Sequence, residues 1–322
     1  MKLKNAEINV GRLCNNRCLF CMSGEDRDQK DPWINPERVQ AEIRRHYVEG
    51  ARSVGFLGGE PSAYPHIEEC VRFAKDLGFQ RIALCTNGTR LSNKDFIDKL
   101  VVAGLTRVTV SIHSHRPEVE DWITGVPGNL KRKLQALSNL VELRRLGKLP
   151  DNVSVNPVLS RRNMRDMEAY VRYLHAEVGV EDFRFNFIWP QSRALRDETI
   201  IPRFEEAVPW MLNLIRVNER ELGLHVTFGA VPFCILPKPF QERWPLLEKY
   251  FYDEGNDLPT SVSFPHNDEV ETVDRFDWHA RSRDDYRTKV EACSRCRLND
   301  KCMGIYRTYL ELYGESEFKR VQ

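Results

Sequence analysis

Residues 12–22 read Arg-Leu-Cys-Asn-Asn-Arg-Cys-Leu-Phe-Cys-Met, with Cys14, Cys18 and Cys21 in the spacing C-x3-C-x2-C. Three thiolates on one short loop can bind three irons of a cubane iron–sulfur cluster, which leaves the fourth iron open to a substrate or cofactor. A zinc site is the alternative, but it needs a fourth Cys or His close by. The nearest histidines, His46 and His66, lack the usual zinc spacing. The loop therefore predicts an iron–sulfur cluster with an open iron site.

Short β-type runs alternate with longer amphipathic runs along the chain around this loop. The predicted strands cover residues 7–10, 53–57, 81–85, 107–112, 152–159 and 182–188. The predicted helices have apolar residues at three- and four-residue spacing and cover residues 36–49, 67–77, 93–102, 130–146 and 164–178. Six strands that alternate with five helices predict an α/β fold with a parallel sheet, either open or curled into part of a barrel. In such sheets the chemistry collects at the carboxyl ends of the strands.

Three further motifs stand where those strand ends are predicted. They are Gly58-Gly59-Glu60-Pro61 after the second strand, Thr86-Asn87-Gly88 after the third, and Ser111-Ile112-His113 after the fourth. Together with the cysteine loop, in which Phe20 precedes Cys21, they resemble the radical S-adenosylmethionine (SAM) superfamily. The resemblance implies a partial (β/α)6 TIM-like barrel, the radical SAM core, in residues 1–200.

The resemblance also implies where SAM binds. In the family the amino and carboxylate groups of SAM chelate the open iron, so Gly58, Gly59 and Glu60 are expected beside it. Backbone carbonyls of the two glycines can accept from the SAM ammonium because no Cβ blocks its approach. Cys14, Cys18 and Cys21 are then the catalytic residues, since they hold the cluster that splits SAM.

The rest of the SAM site is expected at the ends of strands four to six. Ser111 and Asn156 match positions that contact the carboxylate and ribose, while Arg161 or Arg165 could pair the carboxylate or lie at a solvated helix start. The adenine is expected near the ends of strands five and six, where aromatic residues can equally be core. The predicted SAM-binding residues are Gly58, Gly59, Glu60, Pro61, Thr86, Asn87, Ser111, Asn156, Val158 and Phe187.

A second cysteine set lies in the carboxyl-terminal part. Cys293, Cys296 and Cys302 have the spacing C-x2-C-x5-C, and Cys234 follows a seventh predicted strand, residues 224–228. Four thiolates can fully ligate a second 4Fe–4S cluster, but they can also form a structural zinc site. The arrangement resembles the auxiliary-cluster extensions of radical SAM enzymes called SPASM and twitch. With four cysteines rather than seven, residues 201–322 fit the single-cluster twitch form.

The resemblance implies an enzyme that reductively cleaves SAM to a 5′-deoxyadenosyl radical and abstracts a substrate hydrogen atom. A fully ligated auxiliary cluster would then complete an oxidation by electron transfer. One expected substrate is a ribosomal peptide that undergoes cross-linking or thioether maturation. The alternative is a small metabolite such as a sugar, aminoglycoside or nucleoside, which is dehydrogenated or rearranged. The third alternative is a non-enzymatic scaffold protein that holds an iron–sulfur cluster or zinc.

Composition restricts the partners. The 322 residues carry 48 Lys+Arg against 47 Asp+Glu, a net charge of +1, which gives no long-range field to attract nucleic acid or an anionic membrane. No apolar run approaches the roughly 20 residues of a membrane span, so we expect a cytoplasmic protein. Nine cysteines in that compartment favour metal or redox chemistry over disulfides. The expected electron donor is a flavodoxin or ferredoxin.

Two features leave alternatives open. Only one of Cys85 and Thr86 can face the inside of the sheet, because successive strand side chains point to opposite faces. An inward Cys85 could donate a hydrogen atom, although a core filler is the simpler interpretation. One predicted helix is basic, which indicates a solvated face or, alternatively, a surface that docks an acidic electron donor or substrate; its basic residues are Lys131, Arg132, Lys133, Arg144, Arg145 and Lys148.

Overall fold

One continuous, mostly parallel sheet organises the molecule. The computed structural model describes residues 2–22, 33–267, 273–319 and 321. Along the sheet the strands run in the order β10, β9, β1, β2, β3, β4, β5, β7 and β8, and β6 also pairs with β7. The strands are β1 (Asn5–Asn9), β2 (Ser53–Leu57), β3 (Arg81–Thr86), β4 (Arg107–Val110), β5 (Asn152–Val155), β6 (Val158–Leu159), β7 (Asp182–Phe187), β8 (His225–Gly229), β9 (Thr260–Phe264) and β10 (Asp274–Asp277).

Every strand pair in this sheet is parallel except β9 with β10. Within the described residues, β8 and β10 remain the edges, so the sheet is not closed into a barrel. This confirms the predicted α/β fold with a parallel sheet that is part of a TIM-like barrel. Parallel pairing also brings the carboxyl ends of the strands to one edge, where the predicted motifs meet.

Helices lie between the strands and bury their apolar faces against the sheet in one core. Asn93 caps the helix Lys94–Ala103 because its side chain accepts from the Phe96 amide (3.1 Å). The longest helix of the described part, α5, has 17 residues, and none of the helices there is long and apolar enough to cross a membrane. The helices are α1 (Pro36–Val48), α2 (Ile67–Leu77), α3 (Lys94–Ala103), α4 (Pro117–Thr124), α5 (Asn129–Arg145), α6 (Met167–Tyr173), α7 (Phe204–Val217), α8 (Lys238–Gln241), α9 (Trp244–Phe251), α10 (Asp253–Asn256), α11 (Trp278–Arg281) and α12 (Arg307–Tyr313).

Several predicted element bounds need correction. The strand predicted over residues 152–159 is two strands, because Pro157 has no amide hydrogen to continue the ladder. The helix predicted from residue 164 begins with a 3-10 turn and ends with a π-helical turn, Leu174–Val178. The sequence analysis did not predict α4, β9 or β10.

Residues after position 200 extend the same sheet at both sides. β8 pairs with β7, and β9 pairs with β1, so the amino-terminal strands are flanked by later segments. A separate two-stranded sheet, β11 (Arg287–Thr288) with β12 (Ile305–Tyr306), leads into α12. The division into a core, residues 1–200, and an extension, residues 201–322, stays a prediction.

Candidate active site

The loop with Cys14, Cys18 and Cys21 follows β1 at the carboxyl edge of the sheet. It is fixed to the end of α4 by two backbone hydrogen bonds, from Arg17 to Thr124 (2.7 Å) and from Leu19 to Ile123 (3.0 Å). Burial raises the pKa of Cys18 to about 12. That thiol therefore needs a cationic partner such as iron to ionise near neutral pH.

Amide donors surround the sulfur of Cys14. The Asn16 backbone N–H donates to Cys14 Sγ (3.3 Å), and Asn87 Nδ2 donates to the same atom (3.8 Å). Asn129 Nδ2 donates to Asn16 Oδ1 (2.7 Å), whereas Asn16 Nδ2 is buried without a partner among the described residues. Iron–sulfur sites use N–H donors toward their sulfur atoms. The donor set therefore fits a cluster in this loop.

The Gly58-Gly59 pair packs directly on the backbone of the cysteine loop. The Gly59 amide donates to Gly11 O (2.8 Å), and the Glu60 amide donates to Leu13 O (2.8 Å). A Cβ on residue 59 would lie 2.2 Å from Leu13 O, and a Cβ on residue 58, where φ is +142°, would lie 2.4 Å from Gly11 O. Both glycines are thus required by this close approach, and their contact with SAM stays a prediction.

We expect Gly59→Ala to lose iron from the cysteine loop. The new Cβ meets backbone oxygens that cannot rotate away, so the loop must shift, at a cost of about 1–3 kcal/mol. Iron content of the anaerobically reconstituted protein and its thermal unfolding would measure this. The matched control is Gly147→Ala, whose Cβ meets nothing within 4 Å but whose φ of +71° strains an alanine, so it should lower the unfolding temperature and keep its iron. Iron binding equal to wild type in Gly59→Ala would contradict the packing role.

Glu60 joins the second and third motifs. Its carboxylate is buried and accepts from the Ser62 amide (2.9 Å), from Thr86 Oγ1 and from the Asn87 amide (2.6 Å). Both oxygens are therefore used within the protein. The side chains of Glu60 and Thr86 hold two loops together, and Pro61 begins the short 3-10 turn Pro61–Ala63 beside them. Direct contact of these residues with SAM stays a prediction.

Asn87 extends this network to the cysteine loop. Besides Cys14, its Nδ2 donates to Asn15 Oδ1 (2.7 Å), while its Oδ1 accepts from the Thr89 amide (3.0 Å). Asn87 of the Thr-Asn-Gly motif therefore holds the Cys14 end of the cysteine loop.

A buried ion pair supports the loop after β4. Lys133 Nζ donates to Glu120 Oε1 (2.6 Å) and to the backbone oxygen of Ser111 (2.7 Å), and neither charged side chain is exposed. Glu120 Oε2 accepts from the amides of His113 (2.7 Å) and Ser114 (2.9 Å). The prediction that Lys133 lies on a solvated face is wrong. Its spacing of four residues from Leu137, on the apolar face of α5, was the available signal.

A cavity of about 640 Å³ lies along the inner face of the sheet. At the carboxyl edge, the wall of this cavity is formed by five residues that the sequence analysis predicted for the site and by Phe20 and Met22 of the cysteine loop. These predicted residues are Cys21, Gly58, Asn156, Val158 and Phe187. Phe187 also stacks on Phe204 at 4.2 Å, so part of its surface belongs to the core.

Cys85 faces the cavity, whereas Thr86 belongs to the Glu60 network. Burial raises the pKa of Cys85 to about 12, so it is a neutral thiol near pH 7. The structure therefore selects Cys85 as the inward residue of the two.

The deeper part of the cavity is lined by charged residues that the sequence analysis did not predict. Glu7 of β1 and Arg81 of β3 both face it. Burial, assisted by the charge of Asp257, raises the pKa of Glu7 to about 7. The signal in the sequence was a charged residue between the buried Ala6 and Ile8 of a strand. Because successive side chains of a strand point to opposite faces, a residue between two core residues faces the inside of the curved sheet. A charged side chain there requires a polar cavity, since burial among apolar groups would be costly.

The second cysteine set converges on a smaller cavity. Cys234 and the three later cysteines line it with Phe233, Val290 and Phe318. Burial raises the pKa of Cys234 to about 12, and the other thiols act in the same direction. Within the described residues no three Cys, His, Asp or Glu side chains lie close enough to share one metal ion. The four cysteines of this set are Cys234, Cys293, Cys296 and Cys302.

The two cavities are adjacent. Cys302 lines the smaller cavity, and the next residue, Met303, lines the larger one. Trp189, at the end of β7, stacks on Tyr306 with ring centroids 5.2 Å apart and an interplanar angle of 8°. The carboxyl-terminal segment therefore forms one wall of the main cavity.

Comparison with known proteins agrees with this arrangement. A family model described as the radical SAM superfamily matches residues 8–174, more than half of the chain. A "Probable GTP 3',8-cyclase" from Saccharolobus islandicus is 31% identical over 189 residues, 58% of each chain. An "AdoMet-dependent heme synthase" from Methanosarcina barkeri is 26% identical over 222 residues, which cover 67% of this chain and 59% of the relative. The chain thus spans less than two thirds of these relatives.

Two solved structures share the fold over nearly the whole chain. Streptococcus suis SuiB bound to its precursor peptide SuiA aligns with a TM-score of 0.65 and 17% identity, covering 100% of this chain and 76% of SuiB. Native anSMEcpe with bound AdoMet aligns with a TM-score of 0.64 and 15% identity, covering 98% and 93%. At 15–17% sequence identity, these similarities show a shared fold.

Proposed function

The chain belongs to the radical SAM superfamily, and from this premise we propose that it removes a hydrogen atom from a substrate bound in the main cavity. A 4Fe–4S cluster held by Cys14, Cys18 and Cys21 would supply the electron that cleaves bound SAM to the 5′-deoxyadenosyl radical. The observation that carries this proposal is the position of the cysteine loop, held by the Glu60 and Asn87 networks, at the carboxyl-edge end of the cavity.

The chain's own residues would position and shield the reactants. Gly58, Asn156 and Val158 line the cavity where SAM is expected, and the amides around Cys14 would donate to cluster sulfur. Phe20 contacts the neutral, buried His113 edge-on, with ring centroids 4.9 Å apart. Burial lowers the pKa of His113 to about 4, so this residue adds no charge beside the loop.

We further propose that the second cysteine set holds a 4Fe–4S cluster that accepts one electron from the substrate radical. The support is that four cysteines line one cavity, while no three metal-binding side chains of the described part converge on a single ion. A zinc ion needs ligand sulfurs about 2.3 Å away, so it demands tighter convergence than a cubane. A substrate that loses a hydrogen atom, an electron and then a proton leaves as an oxidised product.

The cavity supports a small polar substrate. Its wall carries the guanidinium groups of Arg81, Arg107 and Arg184 and the carboxylates of Glu7 and Asp257, a lining suited to a molecule with several charged or hydrogen-bonding groups. A ribosomal peptide is the second candidate. It is supported by the peptide bound to SuiB, whose fold this chain shares along its whole length.

Anaerobic reduction of the reconstituted protein with SAM tests the principal proposal. We expect 5′-deoxyadenosine to form even without substrate, detected by liquid chromatography and mass spectrometry. A protein that binds iron and SAM but yields no 5′-deoxyadenosine after reduction would contradict the enzyme assignment and leave the scaffold reading.

A further inference from the structure

Two opposite charges deep in the main cavity lack a protein partner. Glu7 lies in the middle of β1, and Arg81 begins β3. Among the described residues, neither the Glu7 carboxylate nor the Arg81 guanidinium takes part in a hydrogen bond or an ion pair within 4.0 Å. Gly55 of β2 lies between their strands and adds no side chain. No side chain of residue 55 therefore stands between the two charged residues, and all three positions line the cavity.

The neighbouring charges on the same wall are paired. Arg107 lies 3.2 Å from Asp182, and Arg184 Nε donates to the other oxygen of Asp182 at 3.1 Å. Arg287 pairs with Asp253 at 3.1 Å. Charged groups withdrawn from bulk water are normally paired in proteins, and Glu7 and Arg81 are half-buried in the cavity wall. Because the fold pairs the adjacent charges, Glu7 and Arg81 are left for a ligand.

A third group points to the same conclusion. His279 lines the cavity from α11, and its Nε2 is buried without a hydrogen-bond partner in the described part of the chain. A purely cationic ligand would leave Arg81 unpaired, and a purely anionic ligand would leave Glu7 unpaired. Only a molecule with both charges close together satisfies the two side chains at once.

We propose that Glu7 and Arg81 bind the ammonium and the carboxylate of a free α-amino acid, which is the substrate. This inference rests on the proposed function and names the substrate class for the same cavity. Arg81 begins a six-residue strand, so it lies roughly 16 Å from the carboxyl edge at about 3.3 Å per residue. The amino acid side chain then extends toward that edge, where SAM is expected.

The ionisation of Glu7 agrees with this role. With a pKa of about 7, the Glu7 carboxyl is partly protonated near neutral pH. A ligand ammonium beside it would favour the carboxylate form. The charged groups around it are Asp257, which raises the pKa, and Arg81, which lowers it. Cys85 lies on the same wall and is neutral.

Equilibrium binding to the anaerobic holoprotein with SAM tests the inference. The probes are the twenty common L-amino acids, screened by thermal shift and titrated by calorimetry, and each ligand found is compared with its N-acetyl and its carboxamide form. We expect at least one free amino acid to bind, with both blocked forms weaker by about tenfold or more, the effect of losing a charge-assisted contact.

Two variants test which charged group of the amino acid each side chain binds. Glu7→Gln should remove the preference for the free over the N-acetyl form, and Arg81→Gln should remove the preference for the free over the carboxamide form. A general loss of folding would weaken all probes alike and would not produce this crossed pattern. The matched controls are Glu177→Gln and Arg220→Gln, which change exposed residues outside the cavity.

The inference is overturned if no amino acid binds, or if blocked forms bind as tightly as free ones. It is also overturned if both cavity variants keep the wild-type selectivity. Formation of 5′-deoxyadenosine by the wild-type protein without substrate is measured separately. If that reaction occurs while amino acids do not bind, the substrate class fails and the proposed function stands. If it does not occur, the proposed function fails whatever binds.

Discussion

Cys18→Ala should abolish formation of 5′-deoxyadenosine, with a fall of at least about 100-fold, because a cubane bound by two thiolates is lost or cannot be reduced productively. Cys18 is the middle ligand of the predicted trio, and its loop is anchored on both sides by hydrogen bonds from Arg17 and Leu19. The measurement is product formation after anaerobic reduction, together with iron content and the visible absorption of the reconstituted protein.

Cys70→Ala is the matched control for this experiment. Cys70 is likewise a free thiol, but it lies on the buried face of α2, in the hydrophobic core. We expect this variant to keep its iron and its SAM cleavage. Full cleavage activity in Cys18→Ala would refute the ligand assignment, and with it the proposal that this loop holds the catalytic cluster.

Cys296→Ala should lower the iron content by about four atoms per chain, one cubane, because it leaves only two thiolates on the local segment besides the distant Cys234, and it should spare uncoupled SAM cleavage. The reason is that Cys296 lines only the smaller cavity, whereas the cysteine loop after β1 lines the other. Elemental analysis for iron and zinc, combined with electron paramagnetic resonance of the reduced protein, measures the effect.

Ser294→Ala provides the comparison, since Ser294 lies between Cys293 and Cys296 and its hydroxyl donates to the Glu291 backbone oxygen (2.8 Å). It should retain both clusters. If Cys296→Ala keeps all its iron and loses zinc instead, the second site is a zinc site. The electron-accepting role would then have to be abandoned.

The sequence predicted the elements whose signals are local. Alternating β-type and amphipathic runs identified β1 to β4 and their helices, since the period of apolar residues depends only on the segment itself. Cysteine spacing likewise identified both sets. By contrast β9, residues 260–264, lies in a proline-rich and aromatic stretch, and it is a strand because β1 offers it an unpaired edge. That reason is tertiary, so the segment alone could not indicate it.

The roles of side chains were harder to predict than their positions. The position of Glu60 beside SAM stays a prediction, but the sequence did not indicate that its two carboxylate oxygens accept from Ser62, Thr86 and Asn87. Lys133 was assigned to a solvated face and is buried against Glu120. The wrong assignment of Lys133 and the unpredicted contacts of Glu60 have one physical cause, because a charged side chain found in a sequence does not reveal which buried backbone amides and carbonyls need a partner.

The pairing of β9 with β1 and of β8 with β7 bears on any shortened version of this protein. A fragment that stops near residue 200 would lack both flanking strands and would present two long rows of unsatisfied backbone groups. Exposed edge strands of this kind form hydrogen bonds with the edge strands of other copies of the same chain. Such a fragment would therefore tend to self-associate and precipitate, so the part that carries the superfamily motifs depends on its carboxyl-terminal companion for solubility.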